Sequence, residues 1–201
     1  MEQIGKVASQ AVASSKNASR RHKLFKHPTG DARVLPDLTR TREGVEVRLR
    51  NIFALLALGQ ADWPLYLHGP VGTGKSRAAL WFCDQTAESC YHTVETVMDA
   101  MRSTTRQNPP WDWPWSMHLA ILDELGCHDK ASDFEYDAVK RFADWREDKA
   151  VVYVSNHAPV VIGKLYDGRI GSRVTCGTIF KLDGPDRRLT TKSEVDQYTE
   201  P

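Results

Sequence analysis

The segment that most constrains this chain is residues 69–76, which read Gly69-Pro70-Val71-Gly72-Thr73-Gly74-Lys75-Ser76, a G-x-x-x-x-G-K-S pattern. A short apolar run at 64–68 precedes it, and a helix-compatible segment runs from Lys75 to about Gln85. Strand, glycine-rich turn and helix is the order this pattern needs. The glycines allow φ > 0 and let the backbone approach a ligand with no Cβ in the way. Backbone N–H groups of the turn then converge at the positive end of the helix dipole, which suits a triphosphate. Lys75 is expected to bridge the β- and γ-phosphates, and the Ser76 hydroxyl to ligate Mg²⁺. Residues 69–76 are therefore the expected ATP-binding loop, with ATP and Mg²⁺ as the expected ligands.

A phosphate loop of this kind belongs at the edge of a sheet, and the remaining sequence supplies one. Val45, Leu49, Ile52, Phe53 and Leu56 fit a helix that stops at Gly59. Residues 91–94 read as a strand, 95–103 as a helix, and 118–122 as a strongly apolar strand. Ser132-x-x-Glu135 reads as a capping box, opening a helix with Ala138, Val139, Phe142 and Trp145 on one face. Another apolar strand spans 150–154, a helical stretch lies between 160 and 173, and a last strand covers 178–182. Residues 107–116 (QNPPWDWPWS) read as a loop. Strands apolar on both faces that alternate with helices predict an open parallel α/β sheet sandwiched between helices.

In such a sheet, ligands sit outside the carboxyl ends of the strands. The strand Leu119-Ala120-Ile121-Leu122 runs into Asp123-Glu124. Asp123 is expected to emerge beside the phosphate loop and hold Mg²⁺ through its waters, while Glu124 polarises an attacking water. Paired acids at a strand end also serve as helix N-caps. The strand Val151-Val152-Tyr153-Val154 runs into Ser155-Asn156. Asn156, with Ser155 in reserve, is the candidate to orient the lytic water or touch the γ-phosphate, although Ser-Asn is also ordinary turn chemistry.

Length and charge bound the rest. At 201 residues the chain accommodates one domain with a full core plus short appendages. The formal net charge of +1 hides an asymmetry, because residues 1–50 hold 11 Lys/Arg against 5 Asp/Glu. A basic arm ahead of a mildly acidic domain fits contact with nucleic acid or an acidic surface, and equally a solvated tail. A faint apolar stripe (Ile4, Val7, Ala8, Ala11, Val12) precedes the basic run Arg20, Arg21, His22, Lys23 and Lys26. Cys83, Cys90, Cys127 and Cys176 form no C-x-x-C pair, so reduced thiols are expected rather than zinc or redox chemistry. No apolar run has the length of a membrane span, and no signal-like core begins the chain, so a cytoplasmic, membrane-free protein is expected.

The ordered series GPVGTGKS, the LDE strand end, the S-N strand end and LYDGRIGSR at 165–173 resembles AAA+ ATPases. The resemblance is to the DnaC/IstB-like branch, replicative helicase loaders and transposition helper ATPases, and spans about residues 45–188. It implies a P-loop AAA+ core at 39–188, between a basic arm and linker at 1–38 and a polar tail at 189–201. Only about twenty residues follow the last strand, so the helical lid common in the family is not expected in full. The resemblance also implies a homo-oligomer with ATP at the subunit interface, completed by an arginine of the neighbouring subunit. Arg173 matches that arginine and Arg169 is the secondary candidate. A guanidinium suits the task by spreading positive charge over the transferring phosphoryl group. Arg187 or Arg188 resembles the arginine that closes the family's core pattern. The implied activity is ATP hydrolysis in DNA replication, with a replicative helicase and single-stranded DNA as partners. The alternatives are an IstB-like helper acting on double-stranded DNA, and an ATP-gated binding module with little hydrolysis. Arg102 and Arg106 beside Trp111, Trp113 and Trp115 mix cations with stackable rings, as single-strand binders do, but such tryptophans also pack a loop onto its own domain.

Overall fold

The computed structural model describes residues 45–103, 117–128 and 130–186, so the expected arm, the tryptophan loop, Arg187, Arg188 and the tail lie outside the described residues. The chain enters through α1 (Val45–Ala57), closed by Gly59 at φ 67, and drops into β1 (Leu65–His68), every residue of which is buried. Next come α2 (Lys75–Gln85), β2 (Ser89–Thr93), α3 (Val94–Ser103) and β3 (Leu119–Leu125). They are followed by α4 (Asp133–Trp145), β4 (Val151–Ser155), α5 (Pro159–Leu165), α6 (Gly168–Thr175) and β5 (Thr178–Lys181).

The five strands form one parallel sheet in the order β2-β3-β4-β1-β5. A parallel sheet must be covered on both faces, and two apolar clusters do this. On one face, Leu49 and Leu56 of α1 and Ala78, Ala79, Phe82 and Cys83 of α2 pack on Leu65, Leu67, Ile121, Val152 and Val154. On the other, Val97 and Met98 of α3, Ala138, Val139 and Phe142 of α4, Ile162 of α5, and Ile170 and Val174 of α6 cover Tyr66, Ala120, Leu122 and Tyr153. Alternate strand residues feed alternate layers, as the two-residue side-chain period requires. The predicted α/β sandwich is the observed architecture.

Three local readings change. The helical stretch expected between 160 and 173 is two helices, because Asp167 leaves the helix and caps α6 by accepting the Ile170 N–H at 2.7 Å. The two helices then cross closely: a Cβ on Gly171 would lie 2.7 Å from the Gly163 Cα. The apolar strand expected to stop at Leu122 continues to Leu125, with an irregularity in its pairing with β4 between Leu122 and Leu125. The Ser132 side chain caps α4 by accepting the Glu135 N–H, but the Glu135 carboxylate turns into the interior. It accepts the Tyr166 hydroxyl at 2.6 Å and pairs with His128 at 2.9 Å, leaving the residue 2% exposed. Arg146, also 2% exposed, donates to the carbonyls of Met117 and Ala150 and so pins the entries to β3 and β4.

Candidate active site

The phosphate loop takes the conformation its glycines permit. Gly69, Gly72 and Gly74 all have positive φ, at 150°, 77° and 95°. Two of them also accept close neighbours: a Cβ on Gly69 would lie 1.9 Å from the Leu182 carbonyl oxygen, and one on Gly72 would lie 1.9 Å from the Asp186 carboxylate. The strand-end segment after β5 thus lies against the loop, held by the Leu182 N–H donating to the His68 carbonyl at 2.7 Å. Gly74 is the N-cap of α2 and, having no side chain, caps none of the first N–H groups of the helix. Thr73 and Lys75 are buried. The Lys75 ammonium donates to the Gly69 and Pro70 carbonyls at 2.8 and 2.7 Å, and the Thr73 hydroxyl to Pro70 at 2.9 Å. Pro70 and Val71 form the outer, exposed shoulder. His68, at the root of the loop, has its pKa lowered by burial and by the Lys181 and Lys75 cations, against the pull of Asp183.

Asp123 does not stand directly beside the loop's strand, because β4 runs between β3 and β1. Its Oδ2 accepts the Tyr91 hydroxyl at 2.5 Å. Ser76 neighbours the same phenol. Burial and the neighbouring Asp123 and Glu124 carboxylates push the Tyr91 pKa up, so the phenol remains a donor. The other oxygen, Oδ1, accepts the Glu124 N–H at 2.6 Å.

Glu124 has φ 62, a left-handed conformation that is costly for a residue with a side chain. It is tolerated where surrounding contacts hold it, which is common at sites of chemistry. The turn lets Asp123 stay buried while the next side chain faces solvent at the sheet edge. Desolvation, then Asp123 and Glu95, raise the Glu124 pKa; His128 acts in the opposite sense. The following turn is seated on α5 and the residue after it, with Gly126 (φ 72) donating its N–H to the Tyr166 hydroxyl at 3.0 Å.

Past β4, the two candidate residues part company. Ser155 is buried; its hydroxyl donates to the Leu125 carbonyl at 2.6 Å and accepts the His157 N–H at 3.0 Å. It therefore joins the ends of β3 and β4. Asn156 is exposed at the same edge. Arg173 lies elsewhere. The helix bearing it leads into β5, whose first residue pairs with the first of β1, so Arg173 stands toward the edge where strands begin. There it pairs with Asp144 of α4. Arg169, in the first turn of α6, is exposed beside Asp167 and Tyr136.

Sequence reasoning missed Tyr91, Tyr166 and Asp186, and read Glu135 only as a capping residue. Tyr91 carried a faint signal, a hydroxyl opening a strand otherwise read as apolar; Tyr166 and Asp186 carried none, since each acquires its partner through the fold. Among the described residues, no cluster of three or more His, Cys, Asp or Glu side chains is arranged to hold a metal, and no helix is long and apolar enough to cross a membrane.

No protein-family model matches the chain, and no curated protein matches it in sequence. Among solved structures it is similar to a DNA replication initiation factor, with a TM-score of 0.61 and 17% identity over 82% of this chain and 55% of that one. It is similar to DnaA from Aquifex aeolicus bound to AMPPCP, with a TM-score of 0.58 and 18% identity over 80% of this chain and 54% of that one. It is also similar to the DnaC helicase loader, with a TM-score of 0.61 and 11% identity over 74% of this chain and 96% of that one. The chain spans about half the length of the first two. The shared feature is the fold, an α/β architecture with one parallel sheet between two layers of helices.

Proposed function

We propose that this chain is an AAA+ ATPase of the DnaC/IstB-like branch that acts in DNA replication as a helicase loader, binding ATP, a replicative helicase and single-stranded DNA. The observation that carries the ATPase part is the convergence of the Gly69, Gly72 and Gly74 loop, the start of α2 with Ser76, and the Tyr91–Asp123 pair where the strands end. The loader part rests on the likeness of fold to the DnaC helicase loader and to replication initiation proteins.

The donor set fits Mg²⁺ with a triphosphate. A hydroxyl (Ser76) and one buried carboxylate (Asp123) are hard oxygen ligands, and too few for a cage made of protein alone. That is the pattern of a cation that keeps waters and takes phosphate oxygens. When bound, the cation neutralises charge on the β- and γ-phosphates. The chain's own groups do the rest. Backbone N–H groups of residues 72–76 bind phosphate oxygens, and Lys75 exchanges its two loop carbonyls for the phosphates. Glu124 accepts a proton from the attacking water as the γ-phosphoryl group leaves ADP, and Asn156 orients that water. Arg173 serves the site of a neighbouring subunit, since its own loop is at the opposite sheet edge.

The test is a comparison of wild type with Glu124→Gln. The variant is expected to bind ATP within about threefold of wild type and to lose turnover by at least about 100-fold, the scale of general-base loss. Wild-type turnover is expected to rise with single-stranded DNA, and the protein to be retained on the replicative helicase. Loss of ATP binding on Lys75→Ala, on the order of 100-fold, checks the loop itself. Full turnover in Glu124→Gln would remove Glu124 from the mechanism; stimulation by double-stranded DNA alone would favour an IstB-like helper.

One observation favours a second reading, an ATP-gated binding module with little hydrolysis: Arg173 is already paired with Asp144 of its own chain. Tight ATP binding with no turnover, with single-stranded DNA and helicase present, would select it.

A further inference from the structure

The two side chains suited to a divalent cation come from elements that no backbone ladder joins. Ser76 is on α2, following β1, whereas Asp123 is on β3, and β4 separates those strands. Asp123 is met from the far flank of the sheet, by a side chain of β2. Tyr91 lies in the middle of β2, opposite Ile121 of β3, with its ring packed in the same apolar layer as Ala78, Ala79 and Phe82 of α2. Its hydroxyl donates to Asp123 Oδ2 at 2.5 Å, and Ser76 is a neighbour of the same phenol. Both oxygens of Asp123 are thereby held, one by the phenol and one by the Glu124 N–H at 2.6 Å. Tyr91 is 7% exposed and Asp123 3%, so water does not compete for the bond.

We propose that Tyr91 is the positioning residue of the cation site: its hydroxyl fixes the Asp123 carboxylate and sets how much a divalent cation adds to nucleotide affinity. The proposal rests on the nucleotide-binding reading above. A carboxylate fixed by such a partner presents its free lone pairs in one direction, and hydrogen bonds of this kind orient metal ligands and tune affinity. The aromatic ring alone accounts for the packing against α2; only the hydroxyl acts on Asp123. Tyr91→Phe separates the two.

ATP binding is measured for wild type and Tyr91→Phe in EDTA and across a Mg²⁺ titration, and Mn²⁺ binding is followed by electron paramagnetic resonance with a non-hydrolysable ATP analogue. In EDTA the two proteins are expected to agree within about twofold. The Mg²⁺-dependent gain in affinity, and Mn²⁺ affinity in the ternary complex, are expected to fall on the order of tenfold in the variant. Equal cation dependence in the two proteins would overturn the proposal. Absence of nucleotide binding by wild type would instead overturn the reading beneath it. A second measurement needs no variant. With tyrosine labelled at Cζ, one of the six tyrosine resonances is expected to shift when Mg²⁺ is added to the nucleotide complex, and no shift in any would equally overturn it.

Discussion

Glu124 is the residue at which backbone, charge and chemistry meet. Its left-handed φ turns the carboxyl away from the buried Asp123, yet the two acids remain neighbours, and both desolvation and that neighbour raise its pKa above the ordinary 4.5. A raised carboxyl pKa in the fold means that the ionised form is disfavoured there. The contribution to stability is complete below the unfolded-state value and is lost as pH rises through the folded one. Glu124→Gln is therefore expected to melt above wild type at pH 7, with the gap closing as the pH falls to about 4. Scanning calorimetry of both proteins across that range checks it, and a lower melting temperature for the variant at pH 7 would mean that its neighbours favour the carboxylate. The residue types at this strand end were legible because aspartate and glutamate after an apolar run are a local pattern. The left-handed turn was not, since nothing in Asp123-Glu124-Leu125 demands positive φ.

At the scale of elements, the R-I-G-S-R segment acquires a packing role beside its arginines. Gly171 is where α6 crosses α5, against Gly163. A Cβ at 171 meets backbone, which cannot step aside, whereas a Cβ at 163 meets nothing within 4 Å. Helix propensity alone favours alanine over glycine at both by about 1 kcal/mol. Overpacking costs about 1–3 kcal/mol and is confined to 171. Gly171→Ala is thus expected to lower the urea midpoint and Gly163→Ala to leave it unchanged or raise it; the opposite order would refute the crossing as described. Glu135 teaches a related lesson. Its spacing from Ser132 is that of a capping box, and half of the box forms. The carboxylate is diverted because Tyr166 and His128, distant or unremarkable in sequence, offer it buried partners. Helix boundaries follow local signals, but the use made of a side chain depends on what the fold brings to it.

For the whole molecule, the common direction of the parallel strands places the candidate groups at opposite ends of the sheet. Loop, Asp123, Glu124 and Asn156 gather where the strands end; Arg173 stands where they begin, paired with Asp144. An arginine so placed serves a phosphate only in another subunit, and Lys75 and Arg173 would then act in pairs from different chains. Lys75→Ala and Arg173→Ala, each inactive alone, are expected to recover part of the ATPase activity when mixed, because a mixed assembly contains sites with an intact loop facing an intact arginine. No recovery in a mixture shown to co-assemble would rule out the shared site. An Arg173→Ala subunit should also keep its ATP affinity.

The sequence by itself determined the phosphate loop, the alternation of strands and helices, and the acids at the end of β3, because each is a matter of residue type at short spacing. Glycine, lysine and serine in residues 69–76 encode their own backbone and chemistry within eight positions. Only the tertiary structure decided that β4 lies between the loop's strand and that of Asp123, that Tyr91 holds the Asp123 carboxylate, that Ser155 is a buried tie while Asn156 is exposed, and that Arg173 pairs with Asp144 away from its own loop. These are facts of strand order and of contacts between positions far apart in the chain. Strand order in a parallel sheet is settled by which apolar faces pack together most completely, and no local spacing records that outcome.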